Sequence, residues 1–191
     1  MMPGLHVIGE ASDGAHLLDL IGKQTIDLII VDLSLKKGSG LDIIAEVKKL
    51  NPQIKVIALT MHEEAHMIRR AVLAGVDGYV TKQEASANII TAIEQVSRGA
   101  FFGSNLFFDI LRERISGVNK PIAKGSEKEL LSNREYEVFR RIGMGQTTRK
   151  IAEDLSVSIK TVQEYQSRIK AKLGIADSAE LVRAAIKDTD V

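Results

Sequence analysis

The sequence predicts two units of different class: an α/β unit on a parallel sheet, then an all-α unit of four helices with a helix-turn-helix. Three observations lead there. Over residues 5–98, apolar runs of strand length alternate with amphipathic helical segments, the pattern of a parallel sheet with helices on its faces. Over residues 128–191, residues able to cap helices open a series of short apolar-periodic segments. Between them, Gly117 to Lys128 gathers Gly, Pro, Lys and Ser, the composition of a linker.

Composition narrows the function classes. The 191-residue chain has no cysteine, which excludes disulfides and thiol chemistry, and its four histidines form no zinc-type cluster. No apolar run approaches the roughly 20 residues of a membrane span, and Met1-Met2-Pro3-Gly4 does not read as a signal peptide. A soluble, cytoplasmic chain without a membrane partner is expected. Net charge is +1 but uneven: residues from Lys120 onward carry 14 Lys+Arg against 11 Asp+Glu, the preceding part 12 against 14. The basic bias of the second unit suits an anionic partner.

In chain order, Leu5 to Ile8 reads as a strand, Ala15 to Ile21 as a short helix, and Ile26 to Asp32 as a buried strand. Leu41 to Leu50 is a helix stopped at Asn51-Pro52. Lys55 to Thr60 is a strand, Glu64 to Ala74 a helix, Gly78 to Lys82 a strand and Ala85 to Ser97 a helix. Ligands of such sheets bind at the carboxyl ends of the strands. Asp32, Thr60 and Lys82 each end an apolar strand there, and a carboxylate, a hydroxyl and an ammonium in one crevice suit a phosphoryl group, with Asp32 as nucleophile. Strand ends meeting water would leave the same three residues.

Those residues, with Gly9-Glu10-Ala11, Ile29-Ile30-Val31-Asp32, Gly40-Leu41, Ala58-Leu59-Thr60 and Ala74 to Tyr79, resemble the receiver domain of two-component response regulators over residues 5–98. The resemblance implies a flavodoxin-like fold, Asp32 as phosphoacceptor, Thr60 and Lys82 as phosphoryl-site support, and Tyr79 as the aromatic that relatives turn inward on activation. It also implies a sensor histidine kinase as phosphoryl donor. Receivers open with a strand ending in two acidic residues and then a helix, whereas this sequence opens at what resembles the second strand. The acidic pair would hold Mg2+, so the resemblance supplies only Asp32 and the backbone oxygen of Ser34 as ligands, an incomplete site. A central strand's three or four buried aliphatic side chains contribute about 1.5–3 kcal/mol each, comparable with the ~5–15 kcal/mol that holds a domain. The receiver is therefore expected to be damaged and Asp32 poorly phosphorylated. Met2-Pro3-Gly4-Leu5 reads like the middle of a receiver, pointing to a longer natural protein; a truncated, phosphorylation-independent regulator and a gap filled by another chain are the alternatives.

Residues 99–127 read as the connection between a first domain at 1–98 and a second at 128–191. Phe101, Phe102, Phe107 and Phe108 are expected to pack against one of the two, with a short helix through Ile110 and Leu111.

In the second unit, Ser132 and Glu135 form a capping box opening a helix through Tyr136, Val138, Phe139 and Ile142. Thr147 opens a second helix through Leu155, and Ser158 a third, on which Val162, Ile169 and Leu173 form an apolar stripe ended by Gly174. Lys160, Gln163, Gln166, Ser167 and Lys170 give its other face amides and ammonium groups suited to base edges and phosphates. A fourth helix follows Asp177 to Glu180. This is a helix-turn-helix arrangement. Leu131-Ser132, Arg134-Glu135, Gly145, Ile151-Ala152, Lys160-Thr161-Val162 and Lys172-Leu173-Gly174 resemble the LuxR/FixJ/NarL DNA-binding domain over residues 130–186. The resemblance implies double-stranded DNA as partner, with Lys160, Thr161, Val162, Gln163, Gln166 and Lys170 at the groove, and a homodimer contact around Ser178 to Lys187. Lys150 departs from the family's usual Glu, placing Arg149 and Lys150 unfavourably near a positive helix end.

The sequence thus reads as a DNA-binding transcription regulator of the two-component type and not an enzyme. A haloacid-dehalogenase-like phosphatase would need a second acid where Ser34 stands, and a partner-sequestering protein would leave the basic helix unused.

Overall fold

The computed structural model describes residues 4–33, 39–61, 63–116 and 131–189. They form two compact units, divided between Lys120 and Pro121.

The first unit holds helix α1 (Gly14–Lys23), strand β1 (Leu28–Asp32), α2 (Gly40–Leu50), β2 (Lys55–Thr60), α3 (Ala65–Ala74), β3 (Gly78–Thr81), α4 (Ala85–Ser97) and α5 (Asn105–Ile115). The strands are parallel in the order β1-β2-β3, with Asp32 opposite Leu59 and Thr60 opposite Thr81, so their carboxyl ends lie side by side. Apolar residues fill both faces of the sheet, as crossover helices require. Ile29, Val31, Val56 and Ala58 join Ile44, Val47, Ile68 and Val72 of α2 and α3 on one face. Ile57 and Val80 meet Ala92, Ile93 and Val96 of α4 on the other. At the opposite end from the crevice, Asp77 is held by Lys48 (2.6 Å), Lys55 (3.5 Å) and the Val56 amide (2.9 Å).

One expectation changes and one holds. Leu5 to Ile8 forms no strand: it is irregular, with Val7 and Ile8 exposed. An extended segment gains most of its stability from paired neighbours, and this one borders a cavity where a neighbour would lie. The sheet therefore has three described strands instead of four. The connection read from residue 99, in turn, contributes structure to the first unit. Phe102 makes a parallel bridge to Gly78 beside β3, and α5, capped by Ser104, packs on α3 and buries Phe107, Ile110 and Leu111 in the first core. Phe107 stacks on Tyr79 at 6.4 Å and meets Phe108 edge-on at 5.6 Å.

The second unit contains α6 (Asn133–Gly143), α7 (Thr148–Leu155), α8 (Ile159–Leu173) and α9 (Ser178–Thr189). The capping box of α6 is complete: Ser132 Oγ accepts from the Glu135 amide, and the Glu135 carboxylate accepts from the Ser132 amide at 2.7 Å. Thr147 caps α7 and Ser158 caps α8, each accepting from the third residue on. Asp177 accepts from the Glu180 amide at 2.8 Å, while the Glu180 carboxylate accepts from the Ala176 amide at 3.0 Å. Between α7 and α8 the chain reverses at Ser156, which takes φ 53° despite carrying a Cβ.

Candidate phosphoryl crevice and nucleic-acid interface

The parallel register brings Asp32, Thr60 and Lys82 into one crevice. Lys82 Nζ donates to Asp32 Oδ2 at 2.6 Å, both side chains about one-third exposed, and the Lys82 amide donates to the Thr60 carbonyl at 2.7 Å. Thr60 is 0% exposed and hydrogen-bonds the Tyr79 hydroxyl, which burial pushes well above its ordinary pKa despite that bond. Tyr79 thus sits inside, its ring against Phe107 and its hydroxyl against the crevice. Gly40 lets the start of α2 reach the Asp32 end of β1: a Cβ there would lie 2.6 Å from the Asp32 carbonyl oxygen.

Sequence reasoning misses Thr81 and Glu84. Thr81 Oγ1 donates to the Glu84 carboxylate at 3.0 Å and accepts from the Glu84 amide at 3.3 Å, closing the turn that carries Lys82. The Thr-x-x-Glu spacing is a capping-box signal and suffices to find it.

Magnesium fits this donor set poorly. Such an ion takes carboxylate oxygens, yet no group of three or more His, Asp or Glu side chains among the described residues converges to hold a metal, and the Asp32 carboxylate is already matched by Lys82. Ser34 lies outside the described residues.

In the second unit, α8 presents Lys160, Gln163, Ser167 and Arg168 on its exposed face. Sequence reasoning passes over Arg168, although its spacing from Thr161 and Glu164 follows the helical repeat and places it on their side of the helix. Thr161 is shared with the helix cap, its hydroxyl 2.8 Å from Ser158 Oγ, and Lys170 is half-buried. Gln166 does not stand free: its Nε2 donates to Thr148 Oγ1 at 3.2 Å, tying α8 to α7. Val162 is a correction. Expected at the groove, it is 0% exposed and fills the core, because it lies on the same stripe as the buried Ile169.

Three further contacts fix the helices. Lys172 Nζ donates to the buried Glu135 carboxylate at 2.6 Å, tying the end of α8 to the start of α6. Burial by itself would raise the Glu135 pKa; the Lys172 and Ser132 contacts outweigh it and hold the carboxyl below its ordinary value. Arg141 of α6 reaches Asp154 of α7 at 3.1 Å. Arg149 and Lys150 are answered within α7 by Glu153 (3.4 Å) and Asp154 (2.9 Å), which offsets the unfavourable placement read from sequence.

Each unit matches a known family. The family described as "Response regulator receiver domain" matches residues 2–94, and "Bacterial regulatory proteins, luxR family" matches residues 129–185. The oxygen regulatory protein NreC of Staphylococcus aureus is 30% identical over 186 residues, 96% of this chain and 86% of that protein. A structure of RcsB from Salmonella enterica serovar Typhimurium, bound to promoter P1flhDC in the presence of phosphomimetic BeF3-, is 26% identical with a TM-score of 0.55, covering 94% of this chain and 84% of that one. A LuxR-family response regulator from Aurantimonas is 27% identical with a TM-score of 0.52, covering 60% of this chain and 81% of that one. No described helix is long and apolar enough to cross a membrane.

Proposed function

The chain belongs to the LuxR-type two-component response regulators, transcription regulators rather than enzymes, and from that membership we propose that it binds double-stranded DNA as a homodimer through α8. One observation carries this reading: α8 offers Lys160, Gln163, Ser167 and Arg168 to solvent while caps and cross-helix bonds hold its other side. Side-chain amides and hydroxyls can address base edges, and the cations phosphates. Thr161 and Lys170 flank that face, Gln166 supports it from behind, and Val162 anchors it.

Dimerisation is supported by α9. Leu181 and Ala185 are buried in the domain, while Val182 and Ile186 remain exposed one turn apart, an apolar pair that a second copy covers. Paired half-sites multiply the few base pairs that one helix reads.

Asp32 is the phosphoacceptor position, with Lys82, Thr60 and Tyr79 around it and a sensor histidine kinase as donor. Lys82 balances charge at Asp32 and the Thr60–Tyr79 bond links the crevice to the core beneath. Modification at this position controls the dimeric DNA binding.

A DNA-selection experiment followed by gel-shift titration tests the reading. An enriched, two-fold-symmetric sequence is expected. Lys160→Ala should weaken binding to it by about 1–3 kcal/mol and leave random DNA nearly unaffected; an equal loss on both would make Lys160 a phosphate contact only. No enriched sequence would favour the partner-sequestering alternative.

A further inference from the structure

The outer stripe of α8 carries one charge of the wrong sign for a surface laid against phosphates. The helix holds four cations, Lys160, Arg168, Lys170 and Lys172, and one acid, Glu164. With about 3.6 residues per turn, the buried Val162 and Ile169 fix the inward side of the helix. The opposite stripe runs through Lys160, Glu164, Ser167 and Ala171, all exposed. Glu164 therefore stands in the middle of the face, not at its margin.

A carboxylate so placed is repelled by a phosphate backbone, and an ion pair within the helix would mask it. Spacing offers two such pairs, with Lys160 one turn before Glu164 and Arg168 one turn after. Neither closes. On α7 the same spacing joins Arg149 to Glu153 at 3.4 Å and Lys150 to Asp154 at 2.9 Å, whereas among the described residues Glu164 takes part in no ion pair. Lys172, further along α8, is held by Glu135 at 2.6 Å. The acceptor oxygens of Glu164 stay available to a ligand.

An ionised carboxylate accepts hydrogen bonds and donates none. In the major groove guanine shows its N7 and O6 acceptors and thymine its O4 acceptor beside a methyl group, so both oppose it. Adenine offers its N6 amino group next to the N7 acceptor, which faces the second carboxylate oxygen. Cytosine alone presents an amino group, on N4, with no acceptor beside it. Lys160, about 6 Å earlier along the helix axis, is a donor suited to guanine O6 and N7. The two side chains together match the two halves of a C·G pair or of neighbouring pairs.

On the reading that α8 is the helix laid against the duplex, we propose that Glu164 is a specificity-determining residue, accepting a hydrogen bond from the N4 amino group of a cytosine in the major groove. It acts by exclusion as much as by attraction: where the cytosine is replaced, the carboxylate meets an acceptor and the complex is weakened. On non-specific DNA only its repulsion from phosphates remains, and the cations of the same helix offset it.

The test uses the full chain and a random duplex library for selection. Titrations follow on the enriched duplex, on the same duplex with each C·G pair changed in turn to T·A, and on a scrambled duplex. The expected result is one cytosine in each half-site whose change to thymine weakens the parent chain about tenfold and leaves Glu164→Ala unaffected. Glu164→Ala should bind the enriched duplex about tenfold more weakly and the scrambled duplex more tightly than the parent, opposite signs that a bystander charge does not produce. Glu164→Gln, whose amide suits adenine N6 and N7, should shift selection at that position from cytosine to adenine. The altered duplexes on the unaltered chain stand independently of either variant. Tighter binding of Glu164→Ala to both duplexes alike, or selection of the parent sequence by Glu164→Gln, overturns the proposal and leaves α8 as the reader. Absence of any enriched sequence for the parent chain overturns both.

Discussion

Glu135→Gln removes the charge from the clamp between α6 and α8 while keeping the shape of the side chain. Glu135 is 3% exposed and accepts from the Ser132 amide at 2.7 Å and from Lys172 Nζ at 2.6 Å. Both bonds fall on Oε2, and a glutamine oxygen in its place can still accept them, so the loss is chiefly charge assistance. A hydrogen bond to a charged group contributes about 1.5–3 kcal/mol and a neutral one about 1 kcal/mol. The Lys172 side chain is 41% exposed, and solvent screening reduces its share to roughly 0.5–1 kcal/mol. Adding a smaller loss at the Ser132 amide gives a destabilisation of about 1–2 kcal/mol. The assay is urea unfolding of the full chain, followed by amide exchange in α6 and α8, with Lys172→Met and the double variant completing the cycle. A coupling above about 0.5 kcal/mol is expected. The pH dependence has a definite sign: the folded carboxyl titrates below its ordinary value, so its stabilisation is complete above that value and is lost as pH falls through the lower folded one. The stability gap between the parent chain and the Glu135→Gln variant should close in that acidic window. Strict additivity of the two single variants, or a gap that widens on acidification, would refute the clamp.

Three other outcomes are expected. Val162→Ala should destabilise the second unit by about 1–3 kcal/mol in the same unfolding assay, without changing base preference in a selection experiment, because Val162 is core. Phe107→Ala should cost the first unit about 3–5 kcal/mol and raise amide exchange across α5, since Phe107 is fully buried against Tyr79. Acetyl phosphate with magnesium should label Asp32 slowly and substoichiometrically by intact mass; rapid, complete labelling would show that a competent metal site assembles after all.

Much of this architecture is legible in the sequence because its determinants are local. Ser132 with Glu135, Thr147 and Ser158 announce helix starts within three residues of themselves, and each caps as read. Strands β1, β2 and β3 are visible as apolar runs, and their polar ends find one another because parallel packing aligns carboxyl termini. Leu5 to Ile8 shows the limit of pattern: four residues can have strand character and still lack a neighbour to pair with. The correction at Val162 has a different origin. The helical stripe already places it beside Ile169, and the family resemblance, which sets it at the groove, conflicts with that period. Partners distant in sequence, such as Thr148 for Gln166 or Phe107 for Tyr79, follow from packing that no local pattern encodes.

The recognition helix is fastened along its length: at its start by Ser158, midway through Gln166 and near its end through Lys172. A reader so braced arrives at the duplex with its conformational entropy already surrendered. Association should then show the modest heat-capacity change of rigid docking, rather than the large negative one that accompanies folding on contact.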